Sequence, residues 1–278
     1  MVFDVTTDGE LLAALDAARE KNPQLEQIID LHRQVVEARS EVAVPQPELS
    51  ADKAEVARLV DERTPMIRRW TLTWDVDDFT SLVTSICEIG ARKRVELAPH
   101  FAEVRNLLTA DPEQSERLVS SYLAEGAVDL PELPDETRGV LSFVLIHALH
   151  PFMIAYSSAL ASLIRDEQWY QRQCPVCGGE PDLGYLEKEV GGLRLLCSRC
   201  DTVWTYKRGE CTFCGNSDRE TFAYYLGEDE AYRLYVCDNC KRYLKVIDGR
   251  QVSAQPLLPL QRVLTVGMDV SARQEGYR

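Results

Sequence analysis

The chain has 278 residues, 45% of them hydrophobic and 27% charged, with a formal charge of −14. This length holds one large domain or two smaller ones, with enough apolar content for a full core. The acid excess argues against a nucleic-acid-binding surface, because a phosphate backbone would be repelled. No run approaches 18 consecutive apolar residues, so no membrane span is expected. Met1 to Glu20 carries Asp4, Asp8 and Glu10 and no basic run, so no secretory signal is read there.

Residues 1–170 read as mostly helical. Thr7-Asp-Gly-Glu10 has the form of a capping box, and Leu11, Leu12 and Leu15 supply the apolar face that follows. Pro23 opens a second helix with a stripe of Leu25, Ile28, Ile29, Leu31, Val35 and Val36. Val44-Pro-Gln-Pro47 is a break, after which Ser50 caps a helix carrying Val56, Leu59 and Val60, ended by Pro65. Asp75 to Leu97 turns Phe79, Leu82, Val83, Ile86 and Ile89 inward, and Cys87 in this stretch reads as a buried small hydrophobe. Phe101–Leu108 and Asp111–Leu123 are further helices, and Gly126 to Pro134 is a loop. Asp135 to Ile164 is long and apolar, with Pro151 as a break or kink. Trp70 and Trp74 read as packing residues. His147 and His150 could share a helix face, but no matching Glu-x-x-His completes a di-metal site, so packing is the simpler role.

The chemistry lies further on. Four Cys-x-x-Cys pairs occur: Cys174/Cys177, Cys197/Cys200, Cys211/Cys214 and Cys237/Cys240. The intervening gaps are 19, 10 and 22 residues. Each pair aims two sulfurs at one point, and two pairs make a tetrahedral four-sulfur site. The longer gaps fit the two halves of one ribbon, so the first pair joins the second and the third joins the fourth. A repeat supports this pairing. Each module opens with Cys-x-x-Cys-Gly, ending at Gly178 or Gly215, and runs through an Arg-Leu strand to a second Cys pair and an apolar strand. Asp201 and Lys241 stand where the second turns would have glycine, so those turns are not required to match the first.

The fold class is α+β, an N-terminal all-α domain followed by two tandem rubredoxin-like, zinc-ribbon-type modules. The expected boundaries are 1–168 for the helical domain, 169–208 and 209–250 for the modules, and 251–278 for a C-terminal segment packing back on the body, against its helical part. Residues 1–170 hold 16 basic and 30 acidic residues, whereas 171–250 hold 12 and 13. The ribbons therefore have no basic face, and Glu228-Asp229-Glu230 reads as a solvated turn. The acidic helical part reads first as a solubilising surface, and second as a contact for basic segments of a partner. Four thiolates accept zinc or iron equally, so the cofactors are two metal ions of either kind. Thiol–disulfide exchange fits poorly, because no βαβ pattern surrounds the pairs. No catalytic motif appears, and the chain is not expected to be an enzyme.

Three features occur together in this chain. They are the acidic helical part, the run Cys174-Pro-Val-Cys177-Gly178-Gly179-Glu180-Pro181 with three further Cys pairs, and the ending Gln274-Glu275-Gly276-Tyr277. Together they resemble the formate dehydrogenase accessory protein FdhE family. The resemblance implies a cytoplasmic maturation factor that binds the catalytic subunit of formate dehydrogenase. It also implies rubredoxin-like centres at Cys174, Cys177, Cys197 and Cys200, and at Cys211, Cys214, Cys237 and Cys240. An iron-based redox carrier acting on the client is the alternative, signalled by a visible band that changes on reduction. A nucleic-acid-binding ribbon is a weaker third reading, signalled by salt-sensitive binding to DNA or RNA. Neither membrane insertion nor a particular oligomeric state is indicated.

Overall fold

A computed structural model describes residues 6–278 apart from 45, 48, 51, 127, 129, 162, 165–168 and 228. The expectations for Asp4, Pro45 and Glu228, and for a domain boundary at Gln168, therefore lie outside the described residues. The chain divides into two compact units.

The helical unit comprises residues Thr7–Glu48 and Thr71–Ala159. It holds α1 (Asp8–Lys21), α2 (Glu26–Ser40), α4 (Val76–Lys93), α5 (Ala98–Thr109), α6 (Pro112–Glu125) and most of α7 (Asp135–Ala161). Its start signals act as read. Thr7 accepts from the Glu10 N–H, and the Glu10 carboxylate accepts from the Thr7 N–H at 2.9 Å, completing the capping box. Asp75 and Asp111 cap α4 and α6. The inward stripe is continuous: Leu15, Ile29, Val35, Val83 and Ile86 are fully buried. Gly90 lets α5 approach α4 closely, since a Cβ there would lie 2.2 Å from the Phe101 ring.

Pro151 lies inside α7 without ending it. By length and composition alone α7 could cross a membrane, although polar residues such as Ser142, His147 and His150 break its apolar run. Here its apolar residues, among them Leu141, Val144, Leu145, Leu149 and Phe152, form the core of the unit. His147 belongs to this packing, with its ring 4.6 Å from that of Phe143 and 5.6 Å from that of His32.

The second unit comprises residues Leu49–Trp70 and Leu160–Arg278. In it, α3 (Lys53–Asp61) is capped by Asp52, whose carboxylate accepts from the Glu55 N–H at 2.7 Å. Ser50 is not the cap, because Asp52 stands immediately before the first helical residue and reaches the third N–H of the helix. Beyond α3 the chain runs to the first Cys knuckle. The N–H groups of Met66 and Ile67 donate to the carbonyls of Pro175 and Val176, each at 2.9 Å.

Among the described residues the strands are β1 (Pro181–Leu186), β2 (Leu193–Cys197), β3 (Val203–Tyr206), β4 (Phe222–Leu226), β5 (Tyr232–Cys237) and β6 (Arg242–Asp248). They form one sheet in the order β3-β2-β1-β6-β5-β4. Each module is an antiparallel three-stranded ribbon, and the ribbons join through a parallel pairing of β1 with β6 that opposes Gly184 to Val246 and Tyr185 to Ile247. The repeat thus continues side by side in one direction. Leu183, Tyr185, Leu196 and Ile247 form a core cluster that Leu258 of α8 (Leu258–Leu264) covers. α9 (Val266–Gln274) lies against β6, where the Lys245 ammonium meets Asp269 at 2.7 Å. The C-terminal segment belongs to this ribbon unit and not to the helical unit, because its apolar and charged partners lie on the sheet.

Candidate metal centres

Both four-cysteine sets assemble as the spacing pairs them. In each, all four sulfurs lie within 4.8 Å of one another. In the first centre Cys174 and Cys200 are 3.6 Å apart, and Cys177 and Cys197 are 3.3 Å apart. In the second, Cys211 and Cys240 are separated by 3.7 Å, and Cys214 and Cys237 by 3.6 Å. A disulfide needs about 2.05 Å. A tetrahedral metal with sulfur bonds of about 2.3 Å separates its sulfurs by about 3.8 Å. The sets therefore have the donors and the spacing of a metal tetrahedron, and their geometry is not that of disulfides.

The knuckles are shaped by the backbone. After each first pair, Gly178 and Gly215 take positive φ angles of 70° and 76°. After each second pair, Asp201 and Lys241 do the same at 53° and 56°. The four turns are alike, contrary to the latitude allowed by their sequences. A non-glycine residue in this region costs about 1–2 kcal/mol, and both have partners that hold them. Asp201 accepts from Arg262, and Lys241 lies 5.7 Å from the centre of the Tyr277 ring. N–H groups point at sulfur, from Gly179 to Cys177 and from Arg199 to Cys197, each at 3.4 Å.

Electrostatics favour a bound cation. Burial pushes the Cys174 and Cys200 thiols well up. At Cys197 burial acts in the same sense, but hydrogen bonds from the neighbouring thiols outweigh it and hold Cys197 well down. At Cys214 burial is outweighed by the Asn239 amide, the Asn216 N–H and the adjacent sulfurs, leaving the thiol at about 6. Clustered thiols thus lose their protons unequally, and a divalent ion supplies the charge that lets all four ionise. Zinc or iron at these residues would tie the two halves of each ribbon together.

The two centres differ in cover. All four sulfur residues of the first are buried, at 0–1% exposure. In the second, Cys211 and Cys237 are buried but Cys214 and Cys240 are only half-buried. Near the first in sequence, the buried Trp169 and Trp204 donate to the Gln173 and Gln171 carbonyls at 2.7 and 2.9 Å. Around the second, Asn239 donates to Cys214 at 3.5 Å and Asn216 to Cys237 at 3.6 Å. Arg242 stacks 3.7 Å over Phe213 and forms a two-pronged ion pair with Glu180 at 2.7 Å. Of these outer residues, Glu180, Phe213 and Asn239 lie in or beside the cysteine motifs, but the motifs assign none of them a role. Cys87 stands apart, with burial pushing its thiol up to about 12. Among the described residues, His147 and His150 join no metal-ligand group. A cleft of about 590 Å³ beside β4 includes Arg208, Glu210 and Arg219 in its lining, a mixture of charge that selects no ligand class.

Comparison with known proteins agrees with this architecture. No family model matches the chain. An FdhE homolog of Aquifex aeolicus is 24% identical over 274 residues, covering 96% of this chain and 90% of that protein. The FdhE protein of Escherichia coli O1:K1 is 26% identical over 182 residues, 64% of this chain and 56% of that one. In structure, the FdhE protein from Pseudomonas aeruginosa matches with a TM-score of 0.60 at 18% identity, covering 100% of this chain and 95% of that one. The chain is thus similar to FdhE proteins over nearly its whole length. A Shewanella baltica FdhE homolog adds a shorter match, 39% identical over 80 residues, 28% of this chain and 26% of that protein. The FdhE resemblance therefore extends over the helical half as well as the cysteine ribbons.

Proposed function

We propose that the protein is an accessory factor for formate dehydrogenase, binding the catalytic subunit of that enzyme in the cytoplasm during assembly. The observation that carries this reading is the pair of four-sulfur centres built into one continuous sheet, in a chain similar to FdhE proteins along almost its whole length. Metal at Cys174, Cys177, Cys197 and Cys200, and at Cys211, Cys214, Cys237 and Cys240, holds a rigid two-ribbon surface for the client. The protein acts by contact and not by turnover. A ribbon without metal lacks most of its folding free energy, so client binding depends on loaded centres.

The test is an air-free pull-down of the formate dehydrogenase catalytic subunit from the same cells. The baits are the metal-loaded protein and a Cys177→Ser/Cys214→Ser variant. Capture by the loaded bait and loss with the variant is the expected result. Absence of capture by a folded, loaded bait would overturn the accessory reading.

A further inference from the structure

The two centres share a ligand set and a knuckle geometry, so a difference between them must come from what surrounds the sulfurs. The first centre is closed on every side that the structure describes. Its four cysteines are 0–1% exposed, Arg199 and Asp201 beside it are buried, and Met66 and Ile67 back its first knuckle. The second centre opens to solvent along one line, through Cys214 and Cys240, with Gly215, Asp238, Asn239 and Lys241 exposed beside them.

One segment holds the turn that borders that opening. After α9, Gly276 turns the chain at a φ of 84°. The Arg278 N–H then donates to the Lys241 carbonyl at 2.8 Å. The Tyr277 hydroxyl donates to Asp238 at 3.2 Å, and the Lys241 ammonium lies 5.7 Å from the centre of its ring. These three contacts hold both ends of the Cys237-Asp-Asn-Cys240-Lys241 turn. The ending that stood out in the sequence is thus a clasp on the exposed knuckle. The contacts to Tyr277 are surface contacts, weak enough to open without unfolding the sheet.

We propose that the Cys211/Cys214/Cys237/Cys240 centre is an exchange site for a thiophilic divalent cation, zinc or ferrous iron, and that Tyr277 gates the exchange. The first centre keeps its metal for the life of the fold. Exchange would need incoming donors that replace all four thiolates, Cys214 and Cys240 first because they are the less buried, with each freed sulfur taking a proton from solvent before the cation leaves with its new ligands. A donor can reach the second centre and cannot reach the first. This inference rests on the reading that both cysteine sets hold metal.

The experiment uses the full chain loaded with zinc alone. Metal content is measured first, and two ions per chain are expected. A value near zero would sink the metal reading itself, and with it the exchange proposal. Release is then followed with a coloured zinc chelator in excess. One ion should leave quickly and the other only on unfolding. The quick phase should vanish in Cys214→Ser and persist in Cys177→Ser. Tyr277→Ala should speed that phase on the order of tenfold, the combined worth of a surface hydrogen bond and a cation–π contact. Tyr277→Phe, which keeps the ring, should fall between. In parallel, iodoacetamide should label Cys214 and Cys240 before any other ligand, read by mass spectrometry. Equal release from both centres, a quick phase that disappears in Cys177→Ser, or a rate indifferent to both Tyr277 variants would overturn the proposal.

Discussion

Arg262 of α8 donates to the Asp201 carboxylate and to the Cys197 carbonyl, and pairs with Asp182 at 2.7 Å. One guanidinium thereby fixes the second knuckle of the first centre at both ends. Burial works against its charge, but the two carboxylates outweigh that and hold Arg262 firmly protonated. Arg262→Met would take the guanidinium away from buried Asp201 and from Asp182, a loss of about 3–5 kcal/mol. Thermal unfolding of the loaded protein should drop accordingly. Arg262→Lys should recover only part of it, because an ammonium lacks the planar fork.

Loss of a ligand should be felt differently at the two centres. Cys177→Ser and Cys214→Ser should each retain one metal ion per chain, as counted by emission spectroscopy. Only Cys177→Ser should release the segment Leu49–Trp70, because Met66 and Ile67 hang on the Pro175 and Val176 carbonyls. Trypsin should then cut at Arg58, Arg63, Arg68 or Arg69. Equal protection in both variants would contradict this.

A pH dependence follows from Asp248, which is fully buried between Arg233 and Arg250. The Arg250 side chain, then its N–H and the Arg233 charge, hold this carboxyl below its ordinary value against the opposing effect of burial. A lowered folded value means the stabilisation is complete above the ordinary carboxylate value of about 3.9 and is lost as pH falls through the lowered one. Asp248→Asn should cost about 1–3 kcal/mol at neutral pH. It should also flatten the acid limb of a melting-temperature profile.

In the helical unit, Gly90→Ala would press a methyl group into the Phe101 ring. Overpacking of this kind costs about 1–3 kcal/mol. Chemical denaturation should show the loss, and Phe101→Leu added to Gly90→Ala should restore part of it.

Thr7→Ala removes one side of the capping box and should cost about 1 kcal/mol. The helicity of α1 should fray at its start, seen as faster amide exchange at Leu11 and its neighbours.

The sequence carried the ligand sets, because Cys-x-x-Cys pairs at ribbon spacing leave few arrangements open. The helices were legible from caps at Thr7, Asp75 and Asp111 and from stripes such as Ile29, Val35 and Val36. What escaped was long-range. Nothing local in Met66-Ile67 announces pairing with Pro175-Val176, and strand patterns do not show that β1 runs parallel beside β6. The choice of Asp52 over Ser50 turned on two residues of register. The left-handed turns at Asp201 and Lys241 were hidden because their partners, Arg262 and Tyr277, lie 61 and 36 positions away in the chain.

The parallel seam between β1 and β6 also sets an order of events during synthesis. The first four sulfurs have all left the ribosome once Cys200 has, but β1 then still has one bare edge. That edge waits for residues 242–248, which complete the second ribbon as well. Any metal held at the first four sulfurs would thus be bound on an unfinished sheet. The last strand to arrive joins the two ribbons, so neither reaches its final form without the other.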